Sequence, residues 1–162
     1  MSQVVVSQPL YTLEQRQRRD ATGWTLVQGI LAPLQFLVFL ISLGLIGYAY
    51  ATGQYWDLAL ASVVVKTLVL YLIMVTGAIW EKVVFGQYLF APAFFWEDAV
   101  SMGVIALHTA YLVAWWQADA VSLQTQIGIA LAAYATYVVN ACQFLHKLRT
   151  ARLASVPAQV AA

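Results

Sequence analysis

The chain has 162 residues, of which 62% are hydrophobic and only 9% charged, and its mean hydropathy is +0.76. A soluble domain of this length cannot bury so much apolar surface, which leaves lipid as the solvent. The formal charge of +1 leaves no basic footprint for nucleic acid, and a lone cysteine, Cys142, excludes intramolecular disulfides and multi-thiolate metal sites.

Met1 to Tyr11 carry no basic n-region and no small-residue cleavage site, so no removable signal peptide is read and the first apolar run is expected to be retained. That run goes from about Trp24 to Ala49 behind Arg16, Arg18 and Arg19. Gln28, Gln35 and Ser42 recur along it every seven residues, on one helical face. The second run goes from about Leu58 to Trp80 after a short connector, Thr52 to Asp57, that has no Lys or Arg. Lys66 lies inside it, nine residues past Asp57 and so roughly 13 Å from that end. A charge at such depth costs at least ~2.5 kcal/mol on insertion scales and usually faces the bundle interior. Snorkelling or an internal salt bridge is the ordinary explanation of Lys66, and membership of a proton relay the functional one.

Residues 81–98 form the longest connector, in which Glu81 and Lys82 at one end and Glu97 and Asp98 at the other bracket Phe85, Tyr88, Phe90, Phe94, Phe95 and Trp96, with Trp80 just before. Aromatic residues suit an interfacial belt, but six between two acidic clusters also make a flat apolar floor with acids at its rim, matched to a large planar amphiphile. Carboxyl groups beside apolar surface retain a proton more readily, because desolvation disfavours the charged form. Glu81, Glu97 and Asp98 are therefore candidate proton donors.

The third run, about Ala99 to Trp116, contains His108 ten residues past Asp98, roughly 15 Å along the helix. Glu97, Ser101, Val104 and His108 share a narrow stripe from the helix end to mid-depth. A neutral imidazole bonded to a neighbouring helix is the ordinary role for His108. Its functional alternatives are proton relay and axial ligation of a metal held in a tetrapyrrole. The fourth run, about Ile127 to Leu145, follows the Gln117 to Gln126 connector, again free of Lys and Arg, and carries Thr136, Asn140, Gln143 and Lys147 on one face. Hydrogen bonding between helices is the default account of such stripes. Cys142, on this run, is expected to be a packed thiol.

The expected fold is all-α: one membrane domain over 1–162, a polytopic bundle of four transmembrane helices at about 24–49, 58–80, 99–116 and 127–145. Seven of the eight basic residues, all but Lys66, fall on one side of it, so both termini and the 81–98 connector are expected in the cytoplasm. No phosphate loop, HExxH zinc motif or GxSxG elbow is present.

The strings Trp24-Thr25-Leu26-Val27-Gln28-Gly29, Ala32-Pro33-Leu34-Gln35-Phe36, Ile79-Trp80-Glu81-Lys82-Val83-Val84-Phe85-Gly86, Phe90-Ala91-Pro92-Ala93-Phe94-Phe95-Trp96-Glu97-Asp98 and Leu107-His108-Thr109-Ala110-Tyr111 resemble one family. It is the 3-vinyl bacteriochlorophyllide hydratase, called 2-vinyl under older ring numbering, and the resemblance runs from roughly Leu10 to Arg152. It implies an inner-membrane hydro-lyase of bacteriochlorophyll biosynthesis that adds water to the ring-A vinyl group of a (bacterio)chlorophyllide, giving a 1-hydroxyethyl group. No separate cofactor is implied, since the magnesium belongs to the substrate. On that reading Glu97 or Glu81 protonates the vinyl group on the cytoplasmic side, Asp98 or the other glutamate accepts the proton of water, and His108 relays protons or binds magnesium. Lys66 joins the proton path, the Trp80 to Trp96 aromatics hold the ring, and Gln28, Gln35 and Asn140 offer polar contacts. Alternatives of other classes are a chlorin carrier or assembly subunit without catalysis, and a small proton-coupled transporter. Small-residue patches such as Gly44 to Gly47 permit a homo-oligomer.

Overall fold

The structure, a computed structural model, describes residues 10–155. The expectation about a signal peptide concerns residues almost wholly outside that range. Helices α1 (Leu13–Ala21), α2 (Gly23–Thr52), α3 (Trp56–Phe85), α4 (Phe95–Trp116) and α5 (Leu123–Ser155) make up the described chain, with no strand among the described residues. Four of them, α2 to α5, are long and apolar enough to cross a membrane.

The short helix α1 has no counterpart among the four expected spans. Its start is fixed by a capping box in which Thr12 Oγ1 accepts from Gln15 N–H and Gln15 Oε1 accepts from Thr12 N–H. Thr22 then caps α2 through a bond from Trp24 N–H at 3.3 Å. Helix α2 ends at Gly53 and α3 at Gly86, whose φ values of 73° and 88° lie in the left-handed region open to glycine.

Helix α2 packs along α3 and α4 along α5, so the bundle is two helical hairpins that meet where α3 touches α4 and where Tyr134 and Tyr137 of α5 reach Phe39 and Ser42 of α2. Ala49, Ala59, Ala130 and Ala133 are fully buried at these contacts, where a small side chain lets backbones approach. Around them Phe39, Ile46, Val63, Leu70, Val104, Tyr111, Tyr134 and Tyr137 fill the core. Large apolar side chains such as Leu26, Ile41, Leu72 and Val139 point outward, as lipid contact requires. Cys142 also faces outward on α5, which corrects the expectation of a packed thiol. Gly44 and Gly47 of α2 border open space, so the single chain leaves that patch uncovered.

Helix α3 continues to Phe85 and α4 begins at Phe95, so the connector shrinks to residues 86–94, and Glu81, Lys82, Glu97 and Asp98 are helical. Hydropathy marks only the hydrocarbon core, whereas helical hydrogen bonding runs on through the interfacial turns.

Candidate functional site

The 86–94 connector folds back over the ends of α3 and α4. Phe90 holds a φ of 59°, uncommon for a bulky residue, and this aims successive backbone donors into the bundle. Phe90 N–H donates to Asp98 Oδ2 at 2.7 Å, and Ala91 N–H donates to Glu81 Oε2 at 3.3 Å. Both acids are buried, Glu81 6% and Asp98 3% exposed, and their carboxyl groups are near enough to interact. A carboxylate offers only acceptors, so a hydrogen bond between the two needs one of them protonated.

Glu97, one residue from Asp98, is in a different condition. Its Oε2 lies 2.5 Å from Lys147 Nζ of α5, and the same ammonium donates to Ala93 O and sits 5.2 Å from the Phe94 ring centroid. Glu97 and Lys147 thereby form an ion pair between α4 and α5. The helix beneath it is bolted to α5: Asn140 Nδ2 donates to Glu97 O at 2.8 Å, and Ser101 Oγ lies within hydrogen-bond distance of Asn140 Oδ1 and Glu97 O. Three acids from two helices thus converge, two facing each other and one paired with a cation.

The aromatic floor divides in two. Trp80, Phe85 and Phe94 turn inward and meet edge to face at 5.8 Å, with Tyr11 stacked on Phe85 and Phe144 stacked on Phe94. Tyr88, Phe90, Phe95 and Trp96 remain exposed, Phe90 resting on Phe95 at 5.7 Å and Phe95 on Trp96 at 5.4 Å. The first set is a plug under the connector, and the second is an outward apolar face. Arg19 lies 4.8 Å from the Tyr11 ring and opposes the rise that burial imposes on the Tyr11 hydroxyl pKa.

Lys66 and His108 form a second polar centre away from these acids. Both are fully buried, with Lys66 Nζ 3.9 Å above the Tyr137 ring and His108 next to Tyr134 at 6.0 Å between ring centroids. His108 Nδ1 is 2.8 Å from Val104 O, while His108 Nε2 and Lys66 Nζ make no hydrogen bond. Tyr134 donates to Ser42, which is also within 2.6 Å of Ser62. Among the described residues no group of three or more His, Cys, Asp or Glu could hold a metal ion.

Of the polar residues expected to touch a ligand, two bond to neighbouring helices and the third is buried. Gln28 Nε2 donates to Thr76 at 2.8 Å, tying α2 to α3, Asn140 ties α5 to α4, and Gln35 is buried on α2. Sequence reasoning overlooked Lys147 as a partner of Glu97, although Lys147 continues the face carried by Asn140 and Gln143. It also overlooked the Phe90 and Ala91 amides, for which a sequence offers no signal.

Comparison with known proteins adds a family to this geometry. The family model described as 2-vinyl bacteriochlorophyllide hydratase matches residues 11–150. A 2-vinyl bacteriochlorophyllide hydratase of Cereibacter sphaeroides is 71% identical over 150 residues, covering 93% of this chain and 92% of the relative. One from Rhodobacter capsulatus is 67% identical over 144 residues, covering 89% and 83%. No solved structure matches the chain.

Proposed function

The chain belongs to the 2-vinyl bacteriochlorophyllide hydratase family and is a hydro-lyase of bacteriochlorophyll biosynthesis; from that premise we propose that it hydrates the ring-A vinyl group of a (bacterio)chlorophyllide with the Glu81–Asp98 pair as its acid. The observation that carries this reading is the convergence of the buried Glu81 and Asp98 carboxyl groups on the adjacent Phe90 and Ala91 amides, because two acids held so close favour one retained proton that the site can give away. The macrocycle lies against Phe90, Phe95 and Trp96, and the Phe90 amide links that face directly to Asp98. The pair protonates the terminal vinyl carbon, and the ring delocalises the cation left on the inner carbon. Water adds there and loses a proton to the Glu97 carboxylate or to the now anionic pair, so one water is gained in total. The protein supplies position and proton transfer, while the magnesium travels with the substrate.

Lys66 and His108 stand apart from this chemistry. Ten residues of helix separate His108 from Asp98, about 15 Å, which exceeds the reach from the centre of one macrocycle to its ring-A substituent. One bound substrate therefore uses the acid pair or the imidazole, and the retained proton favours the acids.

A direct assay tests the activity. Membranes from a non-phototrophic host expressing this chain, given chlorophyllide a, are expected to yield a pigment heavier by one water in mass spectrometry. Pigment that binds and returns unchanged would establish the carrier reading instead, and proton flux into sealed vesicles would point to transport.

The basic residues support termini and acid pair on the cytoplasmic side of the inner membrane. In a Cys142→Ala background, a cysteine introduced at Gln54 is expected to react with an impermeant maleimide only from the outer face, and one at Ala162 only from the inner face. Outer-face labelling at Ala162 would invert the topology.

A further inference from the structure

We propose that Lys147 is the positioning residue that assigns roles within the acid cluster, holding Glu97 as the proton acceptor while Glu81 and Asp98 keep the proton they donate. This rests on the proposed hydration chemistry and extends it to a residue outside the connector. Three carboxyl groups gathered at the ends of α3 and α4 repel one another, and without a cation a second proton would settle on the cluster. The neighbouring cation in sequence does not fill that role, because Lys82 Nζ is turned to Gly86 O at 2.7 Å and lies 5.4 Å from the Tyr88 ring. Lys147 arrives from α5 instead and is fixed from three sides by Glu97 Oε2, Ala93 O and the Phe94 ring. Two of those contacts are with the connector itself, which also supplies the amides that hold the acid pair. One ammonium thus ties the base to the segment that orients the acid.

The charged and titratable groups facing Glu97 are Asp98 on its own helix, Glu81 on α3 through Asp98, and Lys147 on α5.

The test uses the full chain in nanodiscs with chlorophyllide a. K147M is expected to lower kcat by ~10- to 100-fold with KM within about twofold, and K147R to recover most of the rate. If Lys147 acts through Glu97, adding K147M to E97Q costs no more than about twofold beyond E97Q alone. Independent, multiplicative losses in that double variant, or a K147M loss with no arginine rescue, would make Lys147 a structural residue and overturn the proposal. Normal turnover by K147M while E81Q is inactive would sink the role of Lys147 alone. Normal turnover by both E81Q and D98N would sink the acid pair on which it rests.

Discussion

Glu81→Gln lowers hydration by the ~10² to 10⁴ typical of lost general acid catalysis, while chlorophyllide binding survives. The amide keeps the shape of the side chain and can still donate to Asp98 and accept from Ala91 N–H, but it has no proton to transfer. Asp98→Asn has the same consequence, since its amide oxygen can still accept from Phe90 N–H. If the two groups act as one acid, the double variant is expected to be little worse than either single one. An acid that only decorated the membrane interface would behave otherwise, its amide changing stability by no more than ~0.5 kcal/mol and leaving turnover alone. Single-turnover mass spectrometry with parallel pigment-binding titrations separates these outcomes. Near-normal hydration by both amide variants at normal protein level would move the acid to Glu97 or His108.

His108→Ala destabilises the bundle by about 2–4 kcal/mol, the cost of a cavity left by a large buried side chain. The imidazole has no exposed surface, is anchored to Val104 O and borders Tyr134, so nothing nearby can move in to fill the space without repacking α5. Hydration per folded molecule, however, is expected to stay within a few-fold of the parent, since the residue sits about 15 Å along α4 from Asp98. Denaturant unfolding in detergent measures the first quantity, and turnover normalised to folded protein the second. A fall in pigment affinity with shifted absorption bands would instead identify His108 as the ligand of the substrate magnesium. Turnover lost at unchanged affinity would identify a proton relay.

The helices were legible because lipid demands long apolar stretches, so four spans stand out from composition alone. Their ends were less so. Glu81 and Asp98 look like parts of a loop when hydropathy is the guide, because a polar residue ends an apolar run whether or not the helix ends with it. Helix α1 was invisible for the opposite reason: it is polar and short, and a capping box at Thr12 and Gln15 sets its start.

The acids of the site were nameable from sequence, since charge near apolar surface is rare enough in this chain to draw notice. Their states were not. Side-chain identity cannot tell that Glu81 meets Asp98 while Glu97 meets Lys147, because each contact depends on how α3, α4 and α5 are rotated about their axes. The aromatic residues behave alike: Phe94 and Phe95 are neighbours in the chain, yet one is sealed in the plug and the other faces outward.

By itself, then, the sequence determined the all-helical membrane class, the four spans and the family, since these come from hydropathy and from strings of residues read locally. Only the tertiary structure decided which carboxyls face each other, which meets a cation, and which rings point outward. The physical reason is that proton sharing and ion pairing act over a few ångströms between residues far apart in the chain, and only packing sets those distances.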